Sequence, residues 1–295
     1  MPNVLTTDKG ASSGTSGTVE RGDMMKSVLL HIYRDAGQDA RLAAAIDIVR
    51  NSGGRLICLQ STPWSSYVYA GDLLGVAYLP PEAFQSFREA QEEDRNLIEG
   101  RLQREGVEWE WRHEEGSAAQ LIAEHANLAD LVILSQPKPG ESGLGRRAPL
   151  AADVAVHIQT PSLVVPSDNK RFASEGAAIV AWNGSPEAGH AVRLALPLLR
   201  MASEIHIIGV TGEKETSAPD ELVQYLRLHG PETKTHAVPH DETSVADTLV
   251  KAASKLDAAY IVLGAYGHSR FRETVFGGVT QEIILHSPIP LVLAH

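Results

Sequence analysis

The sequence predicts an α/β protein built as two tandem doubly wound parallel sheets. Three observations predict it. Short apolar, β-branched runs alternate with longer helical patterns along most of the chain. Runs such as Tyr260–Gly264 (YIVLG) and Leu131–Ser135 (LVILS) are continuously apolar, as strands covered by helices on both faces must be. The whole pattern occurs twice, and 295 residues suit two domains of about 150 residues each.

The elements follow in order. Met1 to Asp23 is rich in Gly, Ser and Thr, shows no periodicity and has no apolar h-region, so it reads as a flexible tail and not a secretory signal. The tandem Met24-Met25 before the first strand marks a second place where translation could start. Val28–Tyr33 reads as a strand, and Asp39–Asn51 as a helix stopped by Gly53-Gly54. Leu56–Leu59 is a strand, followed by a long loop, Pro63 to Pro81, and an amphipathic charged helix, Glu82–Glu105. Val107–Arg112 alternates as a strand, and Ser117–Asn127 is a helix. Leu131–Leu134 is a strand, Leu150–Ile158 a helix and Ser162–Val165 a strand.

The second pass runs through strands at Ala177–Trp182, Ile205–Val210, Thr233–Val238, Ala259–Leu263 and Leu291–Leu293. Helices at Pro186–Met201, Ala218–His229, Ser244–Leu256 and Val279–His286 separate them. The expected division is a tail over 1–24, a first domain over 25–166 and a second over 175–295, joined by the linker Pro166–Gly176. The repeat has a register. Arg55–Leu59 matches the run from Glu204 at an offset of 149, while His157…Pro161 matches His286…Pro290 at 129. The difference of 20 residues falls between, where the first copy carries its long loop.

Composition narrows the function classes. The chain is 43% hydrophobic, so it folds. Its 16 aromatics (5 Phe, 4 Trp, 7 Tyr) leave the core to Ala, Val, Leu and Ile. A net charge of −11 with no basic block argues against nucleic-acid binding. The single cysteine, Cys58, excludes an internal disulfide framework and fits a reducing compartment. No apolar run approaches the roughly 18 residues of a membrane span. A cytoplasmic location is the expectation.

The most informative stretch runs from Leu263 to Leu293. Gly264, two residues, Gly267, nine residues and Gly277-Gly278 precede a helix that starts near Val279. In an open α/β sheet, ligands bind outside the carboxyl ends of strands, where strand order reverses. Glycines there allow close backbone approach and positive φ. A helix start offers free N–H groups and the positive end of a dipole to a phosphate, and Thr280 could add a hydroxyl. The alternative is a tight connection whose glycines serve folding alone.

The G-x2-G-x9-G run before a helix, followed by HSPIPLVL into a last short strand, resembles the universal stress protein family, and the resemblance extends over residues 26 to 295. It implies five-stranded parallel sheets of order 3-2-1-4-5, of a Rossmann-like adenine-nucleotide-binding type. It also implies, for one branch of the family, ATP held with Mg²⁺. The positions carried over are Ala181 and Val210 near the adenine, Asn183 near the ribose, and Leu263, Gly264, Gly267, Gly277, Gly278, Val279 and Thr280 around the phosphates. Two departures stand out. The family pattern has Ser or Thr where this chain has Gly278, and Asp where it has Asn183. Arg270 and Arg272 lie within the loop.

The first copy lacks the signature. At the 129 offset, Ser135, Lys138, Ala148 and Pro149 replace Gly264, Gly267, Gly277 and Gly278. Pro137, Pro139 and Pro149 remove donors, and Tyr33 stands where the ribose-binding acid would be. Arg146-Arg147 could attract an anion or simply be solvated.

Other chemistry finds little support. The chain has no G-x4-G-K-[ST] and no G-x-S-x-G. Cys58 lies mid-strand, as a core thiol would. His236 and His240 are split by Pro239, a poor start for a metal site, and His286 suits a helix C-terminus.

Three readings remain. The first is a stress-response sensor that binds ATP or another adenine nucleotide in the second domain, hydrolyses it slowly at most for want of a general base or Walker-type lysine, and signals through a protein partner. The second is a non-nucleotide interaction protein that uses the apolar 63–81 loop for an apolar ligand or a partner. The third is an adenylating enzyme, which no substrate-activating residue supports. The fused copies are expected to pair with each other as a pseudo-dimer, with a further homodimer open.

Overall fold

The computed structural model describes residues 25–62, 81–137, 150–169, 172–211, 219–230, 232–239, 244–265 and 278–295, with side chains omitted for 81–84. The first half runs β1 (Ser27–Ile32), α1 (Gln38–Ser52), β2 (Arg55–Thr62), α2 (Pro81–Glu105), β3 (Glu108–Glu115), α3 (Ala118–Ala126), β4 (Leu131–Ser135), α4 (Leu150–His157) and β5 (Ser162–Val165). The second runs β6 (Ala178–Ala181), α5 (Pro186–Leu199), β7 (Ile205–Thr211), α6 (Asp220–His229), β8 (Thr233–Pro239), α7 (Val245–Lys255), β9 (Tyr260–Gly264), α8 (Gly278–His286) and β10 (Leu291–Ala294). Each expected strand and helix is present, with ends displaced by a few residues.

Each half has the expected order, 3-2-1-4-5, with parallel neighbours. The strand repeat is a spatial one. Adding 129 to β4 and β5 gives the bounds of β9 and β10. The 20-residue excess is the sum of two changes. Leu56 pairs with Trp109 in the first half, and Ile205 with Thr233 in the second, so the first half carries 25 extra residues between those strands. The second half returns five between its third and fourth strands.

The two sheets are not separate. β5 pairs antiparallel with β10 (Leu163 beside Val292), which fuses the halves into one ten-stranded sheet, β3-β2-β1-β4-β5-β10-β9-β6-β7-β8. Each half covers the edge that the other would leave open, and an open edge is a template for unwanted pairing.

The apolar runs are explained by two layers. Val28, Leu30 and Ile32 of β1 pack on one face with α1, α2, α5 and α6, while Leu29 packs on the other with α3, α4, α7 and α8. A strand buried on both faces has no polar alternation to show. The expected linker is itself docked. Phe172 stacks near Tyr260 at 5.8 Å, and the buried Ser174 takes Asp47 Oδ2 through its N–H (2.8 Å) and Asn51 Nδ2 through its hydroxyl (2.8 Å). Gln136 Nε2 donates to the Ser287 carbonyl across the halves at 2.8 Å.

Among the described residues, no helix is long and apolar enough to cross a membrane.

Candidate functional site

The candidate site is built at the carboxyl ends of β6 and β9. β6 pairs with β7 on one side and β9 on the other, so strand order reverses there. The chain leaves β6 through Trp182, whose N–H donates to the Ile208 carbonyl (2.8 Å), into Asn183-Gly184-Ser185-Pro186. Each residue of that turn has a physical task. Asn183 Oδ1 accepts the Ser185 N–H at 3.0 Å, closing an Asx turn. Gly184 has φ +75°, which a side chain would strain. Ser185 caps α5 by accepting the Ala188 N–H at 3.2 Å, and Pro186 opens the helix where no donor is needed. With Oδ1 occupied, Asn183 presents its Nδ2 donors from an exposed position.

Gly264 ends β9 with a φ outside the left-handed region, so conformation does not demand glycine there. Packing does. A Cβ at Gly264 would lie 2.6 Å from the Glu187 carbonyl carbon and 2.7 Å from the Ala188 nitrogen, at the start of α5. In the first half the trade runs the other way. Ser135 occupies the equivalent place, and Gly37, just before α1, leaves room for its hydroxyl.

Gly278 opens α8 and has open space where a Cβ would be, so no crowding requires it to be glycine. Gly278 and Val279 are exposed, whereas Thr280 is buried. Ala181, Val210 and Leu263 share one apolar layer with Ile283 and Ile284 of α8. The structure thus brings Ala181, Asn183, Val210, Leu263 and Gly264 to one edge of the sheet, beside a layer to which α8 also contributes. Gly267, Gly277, Arg270 and Arg272 lie outside the described residues.

The corresponding crevice of the first half is filled. Arg41, in the first turn of α1, is 1% exposed. Its Nη1 contacts Asp35 Oδ1 and Oδ2 (2.8 and 2.9 Å) and the Ser135 hydroxyl, its Nη2 the Tyr33 carbonyl (2.6 Å), and its Nε the His31 carbonyl (3.1 Å). Burial pulls the guanidinium pKa down and Asp35 opposes that shift. Burial, reinforced by Arg41, pulls His31 down to about 3, so its imidazole is neutral. The sequence reading missed Arg41. Its signal was there, because Arg41, Ala45 and Ile48 fall at helical spacing on a buried face. Tyr33 is 58% exposed, while Lys138, Pro139, Arg146, Arg147, Ala148 and Pro149 lie outside the described residues.

The remaining candidates settle into structural roles. Cys58 is buried, and burial pushes its thiol up to about 12. His236 Nε2 lies 2.9 Å from Nδ1 of the buried His206, while His240 lies outside the described residues. No group of three or more His, Cys, Asp or Glu among the described residues could hold a metal. His286 ends α8, the helix C-terminal position expected for it. A cavity of about 560 Å³ lies between α2 and the ends of β2 and β3. Its lining residues include Gln60, Gln91, Arg95, Glu99 and His113. The 63–80 stretch lies outside the described residues.

Residues 177–295 match the model of the universal stress protein family. A universal stress protein from Archaeoglobus fulgidus DSM 4304 superposes with a TM-score of 0.70 at 14% identity, over 91% of this chain and 97% of that one. A functionally unknown protein from Pseudomonas aeruginosa PAO1 superposes with a TM-score of 0.58 at 17% identity, over 92% and 93%. At these identities the likeness is one of fold, and it spans both halves. No curated protein sequence matches the chain. The family match thus lies in the second half, residues 177–295, while the fold of a universal stress protein extends over both halves.

Proposed function

We propose that the second half binds an adenine nucleotide between Asn183 and the Gly264–Thr280 segment, and that the chain reports stress or energy state to a protein partner. The observation that carries this reading is the contrast between the two crevices. The first is closed by a buried arginine. The second is edged by exposed Asn183, Gly278 and Val279, and the buried positions in the first two turns of α5 are Ala188, Ala191 and Val192. In this reading the adenine lies against the backbone of Ala181 and Val210, and Asn183 Nδ2 donates to a ribose hydroxyl. Leu263, Gly264 and Gly267 border the phosphates, which meet the N–H groups of Gly277, Gly278 and Val279 at the α8 start. Thr280 supports that turn from within the packed layer. Mg²⁺ would accompany ATP through the phosphate oxygens.

The net charge of −11 opposes an anion at long range, so binding depends on these short-range donors. The reading is one of sensing, with at most slow hydrolysis, because the sequence has no Walker-type lysine motif. The test is to denature the purified protein and look for released nucleotide, then to measure thermal unfolding with millimolar ATP–Mg²⁺. Retained nucleotide or a saturable shift, lost in Gly277→Val, supports the site. Absence of both overturns it.

A further inference from the structure

The first half's crevice has a polarity opposite to that of a phosphate site. A phosphate cradle is made of N–H donors at a helix start or a nest. Among the described residues, the groups that contact the Arg41 guanidinium are acceptors: the His31 and Tyr33 carbonyls at the tip of β1, the Asp35 carboxylate, and the Ser135 hydroxyl at the tip of β4, with the Asp94 carboxylate adding a further negative charge. A guanidinium this deeply buried persists only with such a complete set, because an unpaired buried charge is strongly destabilising. Asp35 takes Nη1 while the Tyr33 and His31 carbonyls take Nη2 and Nε, so acceptors meet all three nitrogens of the planar group, which a single ammonium nitrogen would not match. Asp35 is itself held, since Oδ1 accepts the Gly37 N–H at 2.9 Å.

The second half shows what the place looks like without this device. Strand pairing sets Val28 equivalent to Ala178, which places Tyr33 opposite Asn183 and Asp35 opposite Ser185. Early in α5 no charged residue is buried. The two copies therefore differ at this spot: an arginine is buried in the first, and alanine and valine are the buried residues at the start of the helix in the second.

We propose that the first half's switch-point crevice is a guanidinium site occupied in cis by Arg41, which closes that half to anionic ligands. The corollary, one anion-accepting crevice per chain, rests on the nucleotide reading; the guanidinium site does not.

The test uses the full chain and Arg41→Ala. The probes are low-millimolar methylguanidinium chloride, sodium chloride at equal ionic strength, and ATP–Mg²⁺, each read by thermal unfolding. The variant should melt well below the wild type. Methylguanidinium should raise its melting temperature saturably, sodium chloride should not, and neither should move the wild type. Adding Asp35→Ala should abolish the response. ATP should shift the variant and the wild type equally; a common shift of zero would count against the nucleotide reading alone. If Arg41→Ala does not fold, Asp35→Ser decides, because its uncompensated guanidinium should now be stabilised by inorganic phosphate where the wild type is not. Three results would overturn the proposal: a folded Arg41→Ala with no methylguanidinium response, an ATP shift larger in that variant than in the wild type, or an Asp35→Ser protein indifferent to phosphate.

Discussion

Gly264→Ala should destabilise the chain by crowding, while Gly278→Ala, in the same glycine motif, should not. The added Cβ at position 264 would sit 2.6 Å from the Glu187 carbonyl carbon, 2.7 Å from the Ala188 nitrogen and 2.8 Å from the Glu187 oxygen. Carbon atoms pack best at about 3.5 Å, so the start of α5 would have to retreat by about 0.9 Å. These are backbone atoms in a turn pinned by the Ser185 cap, and no side-chain rotation relieves them. Overpacking of this kind costs about 1–3 kcal/mol. At roughly 2 °C per kcal/mol for a chain of this size, the melting temperature should fall by about 2–6 °C. A Cβ at Gly278 meets nothing within 4 Å, and alanine is the better helix former by up to about 1 kcal/mol. Circular-dichroism melts of the two variants beside the wild type decide the matter. An unchanged melt for Gly264→Ala, or an equal loss for Gly278→Ala, would refute the claim that α5 is what demands glycine at the end of β9.

Three further outcomes are expected. Gly278→Ser would supply the hydroxyl missing from the family pattern, and one added hydrogen bond of about 1 kcal/mol should tighten ATP binding about fivefold; a titration showing equal or weaker binding would count against phosphates at the α8 start. Cys58, whose thiol burial pushes up to about 12, should react with a thiol reagent at pH 7 only as fast as the chain opens, and rapid stoichiometric labelling of folded protein would contradict its burial. His31 is pulled down to about 3 in the folded chain, against about 6.5 unfolded, so the unfolded state alone takes up a proton between those values. Its contribution is therefore full above about pH 6.5 and is lost as pH falls toward 3, with about 2 kcal/mol gone by pH 5. Denaturant unfolding at pH 7.5 and 5 should show a smaller acid loss in His31→Leu than in the wild type, and identical losses would sink the assignment.

Much of this was legible because it is local. Gly53 at the expected stop of the first helix and Pro186 at the expected start of a later one are found in those places. The strand repeat was legible because covered parallel strands keep their apolar runs in register. Residue type says less about function. The absent side chain of Gly264 makes room for the start of α5, a packing role that the glycine motif alone does not separate from room for a ligand. Arg41 looked like one polar residue in an Ala-rich helix, and only its helical spacing hinted that it faces inward.

The sequence by itself determined the α/β class, two copies of one unit, and the loops at which ligands are expected, since periodicity, turn chemistry and self-similarity are written along the chain. Tertiary structure decided how the copies relate and which crevice is filled. The antiparallel β5–β10 seam depends on two edges that lie 129 residues apart meeting in register. The Arg41 site depends on acceptors from β1, the β1–α1 turn and β4 converging within hydrogen-bond reach of one guanidinium. Both are properties of distance in space between segments remote in sequence, and neither leaves a periodic trace in the chain.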